Sequence, residues 1–299
     1  GDPERGATPA VLRAVANQAP PPVQPFVNRS PPMGPAGLVR AGLVFVFVLP
    51  LRLVLFCIAI VLAWMFSGMA TLGWPALADR PMPAWRRAFL APVPSLWRAW
   101  IFSLGYHRLQ VSGTRAPRSE APIVVVNHQS FVDIFIMYAL GLPMFVAKKE
   151  VGRIPFGSQI IRAGQTLMVD RTSRDSSELI LQQIKERATS AEPWPQLIMF
   201  PEGTCTNGEA LIMFKKGAFT AGVPVQPVTI KYLWHSVDPS KVYGGGPGIG
   251  SIIFRLLTTL DSGAEVSFLP VVHPTEAEVH DPILYAERVR QIMSEHLKV

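Results

Sequence analysis

Ile123-Val124-Val125-Val126-Asn127-His128-Gln129-Ser130-Phe131-Val132-Asp133 joins a run of β-branched residues to a polar corner and then to a helix start. The apolar run has the length and branching of a buried strand. Ser130 followed three residues later by Asp133 is a helix-start pattern, so His128 sits at a strand-to-helix corner. Five residues along one ideal helix advance about 500°, leaving the two side chains roughly 140° apart. His128 must therefore lie off the helix if it is to meet Asp133. Two readings fit residues 127–133: a catalytic base with its orienting carboxylate, or an ordinary imidazole beside an aspartate that only caps its helix.

Further short apolar runs follow at residues 144–147, 167–169, 197–200, 225–231 and 266–269, alternating with helical stretches. That alternation predicts an α/β fold, a largely parallel β-sheet covered by helices. The clearest helices run from about 176 to 189 and from 282 to the end, the latter with Asp281 as cap and Pro282 at its first position. Pro224 and Pro227 remove ladder donors and predict an edge or bulged strand at 223–228. Two strands end in chemically suggestive turns. Residues 164–171 form a short strand that delivers Arg171, and Leu197-Ile198-Met199-Phe200 runs into Pro201-Glu202-Gly203-Thr204, with Cys205-Thr206-Asn207 behind it. Polar turns at strand ends are the usual binding sites of α/β sheets.

In this order the segments resemble the four motif blocks of the 1-acylglycerol-3-phosphate acyltransferase superfamily, which moves acyl groups from acyl-CoA onto lysophospholipids or glycerol phosphate. His128 and Asp133 match its His-x4-Asp block, and Phe200 to Thr204 match its Phe-Pro-Glu-Gly-Thr block without change. The resemblance covers about residues 105–299. Residues 202–207, Lys216-Gly217-Ala218-Phe219, residues 223–228 and the tail from Val266 are similar to the lysophosphatidylcholine acyltransferase branch.

The chemistry assigns roles. Transfer from a thioester to an alcohol needs the hydroxyl proton removed as its oxygen attacks, and a neutral imidazole suits that step. His128 takes the role of base, and Asp133 fixes its tautomer and stabilises the imidazolium. Glu202, Gly203 and Thr204 match the acceptor-binding block, where the glycine lets a backbone N–H approach a phosphate or oxyanion. Glu202 is read as an acceptor for glycerol hydroxyls or a partner for Arg171. The Arg171 fork suits a phosphodiester, with a salt bridge to Asp170 or Asp175 as the alternative. Lys148 and Lys149 are read as CoA or acceptor phosphate contacts, or as a solvated pair. Cys205 offers a competing two-step route through an acyl-enzyme. Tyr232, Trp234 and Tyr243 are available for a choline cage. The histidines lack paired metal-ligand spacing, and no metal or cofactor is expected, acyl-CoA being a substrate. The glycine run at 244–250 lacks nucleotide-loop spacing and is read as a mobile turn before a helix starting at Ser251.

At 299 residues the chain can bury a full α/β core. Only 16% of residues are charged against 49% hydrophobic, a balance that points to a membrane. The net charge of +7 suits an anionic bilayer surface and polyanionic CoA. No arginine stripe is interleaved with aromatics, which disfavours nucleic acid. Two cysteines, Cys57 and Cys205, fit a reducing, cytosol-facing domain. Residues 1–36 hold nine of the 29 prolines and read as a disordered leader. Because the chain starts at Gly1 rather than methionine, further segments at either end are expected as an open possibility. Residues 37–78 read as a membrane anchor: Arg52 is the only charge from Ala41 to Ala78, and residues 53–72 would span about 30 Å. Pro50 and Arg52 are placed at a break near a membrane face, leaving one span or a re-entrant hairpin. Arg80, Arg86 and Arg87 favour a cytosolic catalytic domain on an endoplasmic-reticulum membrane. Residues 79–106 read as an interfacial amphipathic helix, with a helix packed on the domain core as the alternative, and 107–299 as the catalytic domain. A lysophosphatidic acid or lysophosphatidylethanolamine acyltransferase, and a non-catalytic lipid-binding protein, are the alternatives.

Overall fold

The computed structural model describes residues 23–75, 80–148, 157–169, 174–241, 247–260 and 262–299. Strand β2 (Ile123–Val126), after the edge strand β1 (Tyr106–Ser112), is buried at all four positions. It lies inside a seven-stranded sheet with β3 (Met144–Lys148), β4 (Leu167–Val169), β5 (Leu197–Met199), β6 (Val225–Trp234) and β7 (Ser262–Phe268), in the order β1-β7-β6-β2-β5-β3-β4. Every neighbouring pair is parallel except β6 with β7. The expected largely parallel sheet is present.

Helices cover both faces. Val124 and Val126 face one core, built with α4 (Val93–Ser103), α5 (Val132–Ala139) and α8 (Ile249–Leu257); Ile123 and Val125 face the other, built with α7 (Arg174–Thr189) and α10 (Pro282–Leu297). Period-2 alternation on a strand buried on both sides explains why its sequence is uniformly apolar. Asp281 caps α10 through Ile283 and Leu284 N–H, as its sequence predicts. A short helix α9 (Glu276–His280), closed by a Thr275–Glu278 capping box, precedes it.

Three expectations need correction. Val225–Trp234 is an interior strand, not an edge. Pro227 is tolerated there because β7 has already ended opposite it: the ladder runs only as far as Val228 with Phe268, and the Pro227 carbonyl accepts the Leu269 N–H at 3.0 Å. Residues 79–106 are not one interfacial helix. Within them α3 (Ala84–Ala88) and α4 are separate, and Trp97, Trp100 and Ile101 are buried, with Trp97 and Trp100 packed on Phe135. The aromatic face finds a better partner in the core than in a bilayer surface. Of the leader, residues 1–22 lie outside the described residues, and from residue 24 onward it is held: Asn207 donates to the Gln24 and Val27 carbonyls, and Asp238 accepts Arg29 N–H at 2.7 Å. Proline-rich chain forms few internal hydrogen bonds, so side chains of the domain supply others.

Pro35–Thr71 runs as one continuous helix of 37 residues, about 55 Å long, apolar and long enough to cross a membrane. It comprises α1 (Pro35–Leu43), a π-helical segment Val44–Val48, and α2 (Leu49–Thr71). Pro50 has no N–H and its ring crowds the carbonyl four residues back, so the chain widens just before it instead of breaking. Arg52, buried in α2, donates to the Leu257 and Thr259 carbonyls at 2.7 Å and caps the C-terminus of α8. Gly105, at φ +97, leaves room for this cap: a Cβ would meet the Leu256 oxygen at 3.1 Å. His107 accepts from the same guanidinium, and burial together with the Arg52 charge holds its pKa below the usual histidine value.

Candidate active site

The C-terminal ends of β2 and β5 lie side by side, because Val125 pairs in parallel with Met199. The residues after each strand therefore emerge at the same edge. His128 stands at that corner, ahead of α5, and its Nδ1 lies 2.8 Å from Asp133 Oδ2. The same oxygen accepts the backbone N–H groups of Gln129 at 2.7 Å and Ser130 at 2.9 Å. Asp133 Oδ1 accepts from the hydroxyl of Tyr232 on β6. The fully buried carboxylate thus accepts four hydrogen bonds, three on Oδ2 and one on Oδ1. An ionised carboxylate only accepts, so the proton of the imidazole is on Nδ1 and the lone pair on Nε2.

The 201–206 turn grips the His128 backbone from both sides. Glu202 Oε1 accepts the His128 N–H at 2.8 Å, and Thr206 N–H donates to the His128 carbonyl at 2.9 Å. Phe200 stacks on the imidazole at 4.3 Å between centroids. Glu202 is directed inward, only 2% exposed, so its acceptor capacity serves this corner. Burial, reinforced by the Asp133 charge, pushes its pKa up to about 8. Gly203 adopts φ +69, and a Cβ there would meet Lys215 Nζ at 2.6 Å. Its own N–H closes the turn onto the Phe200 carbonyl at 3.1 Å. Lys215, exposed, therefore lays its ammonium over the glycine beside half-buried Thr204.

Of the residues singled out in the sequence, His128, Asp133, Glu202, Gly203 and Thr204 come together. Lys148 ends β3, its backbone paired with Val169. Lys149 and Arg171 lie outside the described residues, as does Tyr243. Tyr232 is buried and bonded to Asp133, a duty different from a choline cage. The signal that could have found it is a tyrosine five residues past Pro227 on the strand next to β2, but no local pattern ties it to Asp133. Cys205 is a buried free thiol, and burial pushes its pKa up, as do the Asp133 and Glu202 charges. A thiolate nucleophile is unfavourable in that place.

Residues 108–231 match the Acyltransferase family model. Over 299 residues the chain is 38% identical to lysophosphatidylcholine acyltransferase 2 of Rattus norvegicus, an alignment covering 99% of this chain and 54% of that protein. It is 36% identical over 281 residues to the lysophosphatidylcholine acyltransferase of Drosophila melanogaster, covering 93% of this chain and 52% of the relative. The chain thus spans about half the length of these relatives. Its fold is similar to that of PlsC, the 1-acyl-sn-glycerophosphate (LPA) acyltransferase of Thermotoga maritima. The TM-score is 0.56 at 22% identity, over 88% of this chain and 98% of the other. The histidine corner, its aspartate and the Pro-Glu-Gly-Thr turn all lie inside the stretch that matches the Acyltransferase family model.

Proposed function

We propose that this protein is an acyl-CoA-dependent lysophospholipid acyltransferase that acylates the free sn-2 hydroxyl of lysophosphatidylcholine. The observation that carries the reading is the His128–Asp133 hydrogen bond at a strand-end corner held on both sides by the 201–206 turn. His128 Nε2 takes the acceptor hydroxyl proton as that oxygen attacks the thioester carbonyl; the tetrahedral intermediate collapses with CoA thiolate as the leaving group. Asp133 holds the Nδ1–H tautomer and stabilises the imidazolium. The ammonium of Lys215 over Gly203 is suited to the negative charge of the acceptor phosphate or of the developing oxyanion. Arg171, Lys148 and Lys149 remain in the reading as phosphate contacts. The raised pKa of Cys205 supports direct transfer over an acyl-cysteine route. The chemistry calls for no metal and no cofactor besides the acyl-CoA substrate. The apolar Pro35–Thr71 helix supports attachment to a bilayer, read as the endoplasmic reticulum with the catalytic domain on the cytosolic side.

A general base contributes about 10²- to 10⁴-fold. His128→Ala is expected to lower CoA release from lysophosphatidylcholine by at least that factor, with acyl-CoA binding retained. Profiling one acyl-CoA against lysolipids with different head groups checks the acceptor. Near-normal turnover in the variant sinks the mechanism, and preference for another head group sinks the choline assignment.

A further inference from the structure

We propose that the open cavity lined by α1, the 31–34 segment, the 235–237 segment after β6 and the C-terminal end of α8 binds the phosphate of an anionic phospholipid headgroup. It measures about 180 Å³, room for several water molecules. None of its lining residues belongs to the His128 corner or the 201–206 turn. Two guanidiniums line it. Arg40 Nη2 donates to Ser236 Oγ at 2.9 Å, and Arg255 Nη2 donates to the carbonyls of Pro31 at 3.0 Å and Ser236 at 2.8 Å. All of these acceptors are neutral, so both positive charges stand uncompensated among the described residues. Among the described residues no aspartate or glutamate lines the cavity, and the nearby Asp238 carboxylate is occupied by the Arg29 and Ser240 N–H groups.

A second observation points to a ligand. Arg255 Nε is buried without a hydrogen-bond partner. A buried donor on a charged group is costly to leave unmet, and a small shift of the side chain would offer it to an anion oxygen in the cavity. The nine-residue helix α1 adds to the field: Gly34 and Gly37 of its first turn line the cavity, and its N-cap carries no side-chain cap. His235 also lines the space.

The choice of a lipid phosphate rests on the membrane-bound reading above and on what flanks the cavity. Leu38 and Val39 of α1 and Ile249 and Phe254 of α8 are all largely exposed, and Phe254 packs against Phe45 of the π-helical segment. An apolar rim beside a cationic hollow matches the boundary between acyl chains and headgroups. A soluble anion such as CoA has no need of such a rim.

The test uses the full chain in detergent micelles, titrated calorimetrically with dihexanoyl phosphatidylserine, CoA and inorganic phosphate. Phosphatidylserine is expected to bind the wild type, and Arg40→Gln, at an exposed position, to weaken that binding about tenfold or more, the loss of one charge-assisted contact. CoA affinity and transfer rate in neutral micelles should stay at wild-type values. Arg255→Gln should act in the same direction, with thermal unfolding as the check that the 31–34 segment remains docked. Unchanged phosphatidylserine affinity in folded Arg40→Gln overturns the proposal. So does a loss of CoA affinity in place of lipid affinity, or inorganic phosphate binding as tightly as the lipid. Failure of the wild type to release CoA with any lysolipid would sink the acyltransferase reading and leave this binding result standing.

Discussion

Asp133 is the most heavily used side chain of the site. It orients His128, ties down the N–H groups that lead into α5, and receives Tyr232 from another strand. One oxygen serves both the imidazole and the corner, which leaves the other free for the tyrosine. Glu202 plays the complementary part as a positioning group on the His128 N–H. Its raised pKa has a consequence for stability. In the unfolded chain the carboxyl ionises near 4.5, but in the folded protein only near 8. Between those values the folded state holds a proton that the unfolded state has lost, so stability falls as pH rises from about 4.5 to 8 and levels off above. Glu202→Gln keeps an acceptor for His128 and removes the titration. Its melting temperature relative to wild type is therefore expected to climb across that window, with a total gain on the order of a few kcal/mol. A constant offset from pH 5 to 8 in detergent-solubilised thermal unfolding would show that the carboxyl is not held neutral.

Helix α2 shows how one apolar element serves two surroundings. Leu49, Arg52, Ala59, Ala63, Ser67 and Ala70 form its buried stripe, while Leu51, Val54, Ile58, Val61, Met65 and Met69 form an exposed one. Steps of three or four residues, or of seven from Arg52 to Ala59, keep each on one helical face. The small side chains on the inner face bring α2 against α4 and α6 (Gly157–Ala163). At its C-terminus the Ala70 and Leu72 carbonyls are met by Arg86 at 2.9 and 2.7 Å. Arg52 therefore works as a latch between α2 and α8 rather than as a charge at a membrane face. Arg52→Leu strands the buried carbonyls of Leu257 and Thr259, and a destabilisation of about 2–5 kcal/mol is expected. Thermal unfolding reads it, and a loss well under 1 kcal/mol would mean that water replaces the guanidinium.

Across the whole molecule, the outward stripe of α2 continues through Phe47 and Val46 to Leu38 and Val39, an apolar surface too large for a water-facing role. On the membrane-bound reading this face, not a helix standing apart from the domain, holds the protein on the bilayer. Leu51→Gln, Val54→Gln and Ile58→Gln in one variant change only exposed positions. Their combined effect is expected to be release of the protein from vesicles at high pH with its fold retained. Flotation of vesicles with the variant still bound at wild-type levels would rule that face out.

By itself the sequence determined what is local. Ile123–Val126, Leu167–Val169 and the Asp281 cap were legible because period, branching and capping act within a few residues, and the His128–Asp133 pair because its spacing across a corner is a matter of five residues. The largely parallel sheet followed from the alternation of those elements. Partners distant in the chain were left to the tertiary structure. Glu202 turns inward to a residue 74 positions away, and Tyr232 reaches Asp133 across 99. The interior place of Val225–Trp234 depended on where β7 ends, and the burial of Trp97 and Trp100 on Phe135 lying opposite. The strand Tyr106–Ser112 carried no apolar run to read, being an exposed edge. Which face of an all-round apolar helix turns inward is likewise decided only by the surface it meets, because hydrophobicity alone has no direction.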